Sequence, residues 1–192
     1  MTQTGNQIRA FIAVALPTAV ENALGALCQQ WAKRWPEAGV RWVHAGNIHL
    51  TLRFLGNIDV ERIDALGIGI DEAAAAVGSF DLVLGTVGAF PTKQRPGVVW
   101  VGPVQGLEAL VGLREALDRS LAQQGWVSHE RSFRPHLTVG RVRRGADVPS
   151  GLWETSMDPV RFKAESLRLI ESRLKPERAE YYLRHEAILA GP

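Results

Sequence analysis

Two histidines in this sequence are each followed, two residues later, by a threonine, and the surrounding segments share the letters HLT. His49 and Thr51 lie in "NIHLTLRFLG", and His136 and Thr138 lie in "FRPHLTVGRV". Imidazole has a pKa of about 6.5, so that near neutral pH one histidine can accept a proton while another donates one. A threonine hydroxyl can donate a hydrogen bond to an anionic oxygen. The repeated pair therefore suits displacement at phosphorus, in which acid, base and anion-binding groups must act together.

Both segments have the β-forming composition that is typical of buried strands. In a strand alternate side chains share a face, so each histidine and its threonine point one way while the intervening apolar residues point to a core. If the two faces meet, they enclose one cleft. Arg53 or Arg141 could add a charge-assisted hydrogen bond to an anion there. Strand alternation alone turns Arg141 away from His136, so its use requires a bend or bulge near Gly140.

The same order of predicted strands and helices occurs in both halves of the chain. We therefore predict an α+β fold of two similar lobes, each a small, mostly antiparallel sheet backed by helices. No low-complexity linker separates the halves, so residues 1–192 are expected to form a single bilobal domain. The predicted strands are 8–16, 40–43 and 48–55 (the last two as a hairpin), 80–90, 97–102, 134–142, 164–172 and 179–189, and the predicted helices lie around 20–31, 59–77 and 110–121.

Length and composition exclude several classes of protein. The chain has 192 residues, of which 46% are hydrophobic, and this is typical of a globular protein. We expect a cytoplasmic protein, because no apolar run approaches the roughly 20 residues of a membrane helix and the first residues do not resemble a signal peptide. Cys28 is the one cysteine, so an internal disulfide is excluded. We expect Cys28 to be a small apolar residue on the face of a helix. The net charge is only +2, but the runs "RVRR" and "KPER" allow a local basic surface.

The sequence predicts no metal site and no cofactor. Acidic residues are scattered singly along the chain, and no cluster looks able to hold a divalent ion. A zinc site formed by His44 and His49 is not expected, because the sequence offers no third ligand for it. The other histidines, His129 and His185, have no threonine at the corresponding position, so they and His44 are interpreted as surface or edge residues.

The two HLT segments, together with "RAFIAVALP", "GAFPTKQRPGVVWVG" and "ESRL", resemble the two-histidine (2H) phosphoesterase superfamily. The similarity is greatest to its bacterial and archaeal RNA 2′,3′-cyclic phosphodiesterases, once called 2′-5′ RNA ligases, and it covers nearly the whole chain. The resemblance implies two lobes related by a pseudo-twofold axis with a central cleft. It also implies metal-free opening of a ribose 2′,3′-cyclic phosphate to a 2′-phosphate.

The resemblance also assigns roles to individual residues. His49 corresponds to the proton donor to the leaving 3′ oxygen, and His136 corresponds to the base that activates water. Thr51 and Thr138 match the hydroxyls that bind phosphate. Arg141 stands where an arginine of this family contacts phosphate.

One further residue and the alternatives to this function stay open. Phe11 matches an aromatic position beside the site, where it could stack on a base or serve as an ordinary core residue. The expected partner is RNA or an oligonucleotide with a 2′,3′-cyclic phosphate end, with no membrane, and the expected state is a monomer. The alternatives are a reversible 2′-5′ RNA ligase, a 2′-5′ oligonucleotide phosphodiesterase and a non-catalytic module that binds RNA or nucleotides. A pure binding module has little need of two titrating imidazoles, which favours an enzyme.

Overall fold

Strands dominate the part of the chain that the structure describes. The computed structural model describes residues 6–127, 132–155, 157–176 and 179–191. Its strands are β1 (Gln7–Val14), β2 (Val40–Trp42), β3 (Leu50–Asp59), β4 (Phe80–Pro91), β5 (Pro96–Gln105), β6 (Leu137–Val142), β7 (Val160–Ala164), β8 (Ser166–Leu174) and β9 (Ala179–Ile188), and its α-helices are α1 (Thr18–Arg34), α2 (Ile63–Ala75) and α3 (Leu107–Gln123).

The strands of the described residues form one continuous nine-stranded antiparallel sheet, and its two halves, which we call the two sheets, meet at the strands that carry the HLT segments. The order along the whole path is β7-β4-β5-β6-β3-β1-β8-β9, and β2 pairs with β6 outside this path. The sheets join through the pairing of Leu50 on β3 with Leu137 on β6. Both HLT segments therefore begin at the junction. The α+β class and the two sheets backed by helices agree with the prediction from sequence.

The two lobes are not the two halves of the sequence. β8 and β9, near the C-terminus, complete the sheet of β1 and β3, whereas α1, near the N-terminus, packs against β2, β6 and β7 of the other sheet. The predicted hairpin between 40–43 and 48–55 is wrong. Residues Ala45–Asn47 form a 3₁₀ turn that carries the chain from β2 in one sheet to β3 in the other, and β2 pairs with β6 instead.

Helical spacing in the sequence identified the buried face of α3. α2 and α3 pack on each other, and α2 also contacts β8 and β9. The apolar residues of α3 that recur at helical spacing are fully buried, as expected for a helix on a sheet: they are Leu110, Leu113, Leu117 and Leu121. No helix of the described residues is long and apolar enough to cross a membrane.

The strand β3 contains one extra residue directly after its threonine. Thr51 and Arg53 lie opposite Ala13 and Ile12, which are neighbours on β1, so Leu52 has no partner on that strand. This is a β-bulge, and a bulge bends the strand and changes the direction in which the following side chains point. From Arg53 to Phe54 the alternation of faces is therefore reversed, and a second unpaired residue, Leu55, restores it.

The strand β6 contains a bulge at the same place in its motif. Thr138 and Gly140 lie opposite neighbouring residues of β5, so Val139 has no partner on β5. The bulge that the use of Arg141 requires is therefore present. Leu52 and Val139 are both the fourth residue of their motif, counted from the histidine.

The carbonyl groups of the two bulged residues accept hydrogen bonds from outside the β3–β1 and β6–β5 ladders. The guanidinium group of Arg114 on α3 donates to the carbonyl oxygen of Leu52. The carbonyl oxygen of Val139 accepts from the N–H of Val43 at 2.9 Å and from the Cys28 thiol, whose Sγ lies 3.6 Å away. Cys28 is buried on α1, as predicted, and burial raises the pKa of its thiol to about 12.

A buried ionic cluster connects β3 to α3. Arg53 and Arg114 are each only 5% exposed, and both contact the carboxylate of Asp118. Arg53 Nη1 lies 3.0 Å from one carboxylate oxygen and Arg114 Nε lies 2.7 Å from the other. Arg53 also donates to the carbonyl oxygen of Trp126 at 2.7 Å. Arg53 thus faces α3, and the expectation that it could contact an anion in the cleft is wrong, because the bulge at Leu52 turns it away.

Replacing the shared carboxylate should destabilise the fold. Asp118→Asn keeps the shape but removes the negative charge that both buried arginines contact, and we expect a loss of about 3 kcal/mol in the free energy of unfolding. Chemical denaturation of the purified variant measures this. Glu115→Gln removes one negative charge from the exposed face of the same helix and should change stability by less than about 0.5 kcal/mol. Equal effects of the two substitutions would contradict a specific role for the cluster.

Candidate active site

A cavity of about 1000 Å³ opens where the two sheets meet, and both HLT segments line it. His49, Thr51, His136 and Thr138 all contribute to its wall. The strands β3 and β6 begin at the leucine that follows each histidine. Each histidine therefore lies one residue before its strand, whereas the sequence predicted both histidines within strands. The side chains nevertheless share one face with their threonines, as alternation requires. The structure thus brings together the four residues that the sequence repeat singled out.

The two imidazoles are held by equivalent hydrogen bonds. His49 Nδ1 lies 3.0 Å from the carbonyl oxygen of Asn47, and His136 Nδ1 lies 2.7 Å from the carbonyl oxygen of Arg134. A carbonyl oxygen only accepts, so Nδ1 must carry the proton in each case. In the neutral ring Nε2 is then the acceptor, and in the charged ring it is a donor. Each histidine therefore offers Nε2 for proton transfer in either direction.

Aromatic rings fix the orientation of His49. Phe11 on β1 stacks on the imidazole with ring centroids 4.5 Å apart, and Tyr181 on β9 meets it edge-on at 5.3 Å. Phe11 is only 3% exposed, and its contact with His49 occupies a ring face. Phe11 also lines the cavity, and its stacking on His49 holds the imidazole. The role of Phe11 in stacking on a base stays a prediction.

Sequence reasoning missed two aromatic residues that contact the histidines. Tyr181 comes from β9, and Phe90 from β4 meets His136 edge-on with ring centroids 4.8 Å apart. Both were interpreted only as parts of strands. No local signal marks them, because each is brought to its histidine by pairing of strands that are distant in the sequence.

The bulges select which residues beyond the threonines face the cavity. In each strand the second residue after the bulge, Phe54 or Arg141, lines the cavity. The first residue after it, Arg53 or Gly140, turns away. Glycine is required at the latter position because a Cβ there would lie 2.6 Å from Val40 Cγ1. Arg141 therefore lies where an arginine could contact an anion held by the threonines.

The environment of His49 favours its neutral form. Burial is the largest cause and lowers the pKa of His49 to about 4. The Asn47 carbonyl opposes this shift, whereas the positive charge of Arg141 and the proximity of His136 lower the pKa further. In the free protein His49 is thus neutral at pH 7. An anion bound beside it would stabilise the charged imidazole and raise the pKa.

The other histidines have separate surroundings. His44 is exposed and lines the cavity wall, and His185 on β9 lies 2.8 Å from Asp71 on α2. His129 falls outside the described residues. Within residues 6–127, 132–155, 157–176 and 179–191, no three side chains of His, Cys, Asp or Glu are grouped closely enough to hold a metal ion.

Comparison with known proteins gives consistent matches over nearly the whole chain. The sequence model of the 2′-5′ RNA ligase superfamily matches residues 13–176. Proteins named RNA 2′,3′-cyclic phosphodiesterase are 30% identical to this chain in Thermotoga maritima, over 96% of this chain and 97% of that protein, and in Bacillus subtilis, over 84% and 89%. The crystal structure of Escherichia coli LigT complexed with 3′-AMP is similar with a TM-score of 0.75 and 27% identity, covering 95% of this chain and 98% of that one.

The low pKa of His49 should rise when an anion occupies the cavity. In the free protein we expect the imidazole resonances of His49 to titrate with a midpoint near pH 4. Saturation with inorganic phosphate should raise that midpoint by at least about one pH unit, because a negative charge stabilises the imidazolium. NMR titration of histidine-labelled protein measures both midpoints. In Arg141→Gln the midpoint of the free protein should also rise, since a nearby positive charge is removed. An unchanged midpoint at saturating phosphate would show that the anion does not bind beside His49.

Proposed function

We propose that this chain, which belongs to the 2′-5′ RNA ligase superfamily, hydrolyses the 2′,3′-cyclic phosphate at the end of RNA or an oligonucleotide and leaves a 2′-phosphate. The observation that carries the proposal is the convergence of two His-x-Thr pairs on one cavity. The relatives named above as RNA 2′,3′-cyclic phosphodiesterases support the same reaction, since their similarity to this chain extends over most of both lengths.

The proposed reaction is an in-line displacement at phosphorus. His136 Nε2 removes a proton from water, and the water oxygen attacks the phosphorus atom of the cyclic phosphate. The bond from phosphorus to the ribose 3′ oxygen breaks, and His49 Nε2 gives that oxygen a proton. The products are a 2′-phosphate and a free 3′ hydroxyl. The Nδ1–carbonyl hydrogen bonds support these roles, because they leave Nε2 of each ring for the substrate.

Phosphate binding is assigned to the side chains around the two imidazoles. The hydroxyls of Thr51 and Thr138 donate to the non-bridging oxygens, and Arg141 supplies a positive charge. Groups aimed at charge that develops during the reaction stabilise the transition state more than the ground state. No metal ion takes part in the proposed mechanism.

The bound phosphate also prepares His49 for its role. A proton donor must be charged when the leaving oxygen departs, yet His49 is neutral in the free protein at pH 7. The negative charge of the substrate raises the pKa of His49, so the acid forms in the complex. The low pKa that His49 has in the absence of substrate would by itself favour the opposite assignment, in which His49 is the base. The two assignments differ in their response to the leaving group.

The proposal also includes the cellular location and the oligomeric state of the protein. We place the protein in the cytoplasm as a monomer in which residues 1–192 form one bilobal domain. The free thiol of Cys28 is compatible with a reducing compartment. The crossing of β8, β9 and α1 between the lobes supports one folding unit, because neither lobe is complete within one half of the chain.

Hydrolysis with a defined product isomer tests the reaction. The protein is dialysed against EDTA and incubated with nucleoside 2′,3′-cyclic monophosphates and with short RNAs that end in a cyclic phosphate. We expect a 2′-phosphate product and a rate that chelation leaves unchanged, because imidazoles take the place of metal-bound water.

Other results of that experiment point elsewhere. A rate that is lost on chelation and restored by a divalent ion would remove the metal-free mechanism. A 3′-phosphate product would show that the 2′ oxygen leaves instead. Turnover of 2′-5′-linked oligonucleotides alone, joining of RNA ends, or binding with no turnover would favour the corresponding alternative function.

Dependence on the leaving group assigns the acid and the base. A general acid matters less as the leaving oxygen becomes a better anion, whereas the base that activates water is needed with every substrate. We expect His49→Ala to be severely impaired on a ribose 2′,3′-cyclic phosphate and much less impaired on a nitrophenyl phosphodiester. His136→Ala should be severely impaired on both. Steady-state rates on the two substrates measure this, and rescue of His136→Ala by the activated substrate would show that the two roles are exchanged.

A further inference from the structure

A second cavity adjoins the proposed active site. Its volume is about 590 Å³, and three arginines line it: Arg41 from β2, Arg141 from β6, and Arg143, which follows β6. Arg41 and Arg141 also line the central cavity. The two cavities are therefore contiguous, and Arg141 lies between the proposed phosphate site and Arg143.

The three arginines repel one another within the folded chain. Arg41 lies directly opposite Arg141 in the β2–β6 ladder, and Arg143, which follows β6, lines the same cavity as these two. Like charges directly opposite each other destabilise a sheet. Among the described residues none of these three side chains forms an ion pair with a carboxylate. The fold thus carries a concentrated positive charge that a bound anion would relieve.

A single RNA chain can supply anions to both cavities. The terminal nucleoside of a substrate carries the cyclic phosphate on its 2′ and 3′ oxygens and an ordinary phosphodiester on its 5′ oxygen. Guanidinium groups bind phosphate through paired hydrogen bonds and retain their charge at any physiological pH. If His49, Thr51, His136 and Thr138 hold the cyclic phosphate, the next anion of the chain is one nucleoside away.

We propose that the cavity lined by Arg41, Arg141 and Arg143 binds the phosphodiester on the 5′ side of the terminal nucleoside, and so makes the enzyme prefer oligonucleotide ends to cyclic mononucleotides. This inference rests on the proposed function and specifies the substrate class for the same site. A nucleoside 2′,3′-cyclic monophosphate with a free 5′ hydroxyl lacks the group that this cavity recognises. It therefore provides the comparison substrate.

The test compares two substrates in the same variants. Arg143→Gln and Arg41→Gln are assayed on a trinucleotide with a 2′,3′-cyclic phosphate end and on the cyclic mononucleotide. We expect Arg143→Gln to lower kcat/KM for the trinucleotide about tenfold, as for loss of one charge-assisted hydrogen bond, and to leave kcat/KM for the mononucleotide within about twofold. Arg41 also lines the central cavity, so Arg41→Gln should lower kcat/KM for the trinucleotide more than for the mononucleotide. The logarithmic dependence of trinucleotide kcat/KM on salt concentration should become less steep by about one unit.

A neighbouring arginine supplies the matched control. Arg144 is exposed and lies one residue beyond Arg143, and it lines neither of the two cavities. Arg144→Gln removes the same charge and should leave both substrates within about twofold of wild type. The melting temperatures of the Arg41 and Arg143 variants should stay equal to or above that of wild type, because the substitutions reduce repulsion between exposed side chains.

Three outcomes would overturn the inference. Trinucleotide kcat/KM could be unchanged in both variants, it could fall in parallel with that for the mononucleotide, or it could fall equally in the Arg144 variant. Each of these leaves the proposed function standing, provided that wild type hydrolyses both substrates. Wild type that hydrolyses neither substrate would instead refute the proposed function, and the inference with it.

Discussion

The extra residue at the fourth position of each motif is the constraint on which the site depends. A regular strand would place His, Thr and every second residue after them on one face, so β3 would present Arg53 to the cavity and β6 would turn Arg141 away. The bulges at Leu52 and Val139 reverse both outcomes. Beyond their threonines, the two motif strands consequently contribute different side chains to the cavity, Arg141 from β6 and Phe54 from β3. The asymmetry of the site therefore arises from two strands with the same backbone irregularity and different side chains.

The two bulges are stabilised by different means on the two sides of the molecule. A freed carbonyl must find a donor when it is buried, because an unsatisfied polar group is costly. Arg114 on α3 supplies the donor for Leu52, and a backbone N–H together with the Cys28 thiol supplies donors for Val139. The donors to the Leu52 carbonyl and those to the Val139 carbonyl share no sequence pattern. This explains why the internal repeat of the chain is recognisable in the motifs and fades outside them.

The sequence was informative where function depends on local patterns and uninformative where it depends on pairing between distant segments. The histidines and threonines were identified from their spacing, and the bulge beside Arg141 was required by alternation. In β3 regular alternation places Arg53 on the same face as His49 and Thr51, and no residue of the sequence marks the bulge at Leu52 that turns Arg53 away. Tyr181 reaches His49 only because β9 joins the first sheet, and the pairing of β2 with β6 depends on a 3₁₀ turn that composition does not reveal. Such contacts are properties of the topology.

The burial of His49 has a thermodynamic consequence for every anion that enters the cavity. Because the ring is neutral in the free protein and its charged form is favoured by a negative ligand, binding is linked to proton uptake. The affinity for anions then falls as the pH rises from about 4 to the higher pKa that His49 has in the complex. Part of the favourable free energy of anion binding is used to protonate the buried imidazole of His49. Above about pH 4 the cavity consequently binds any anion more weakly than its cationic lining alone would allow.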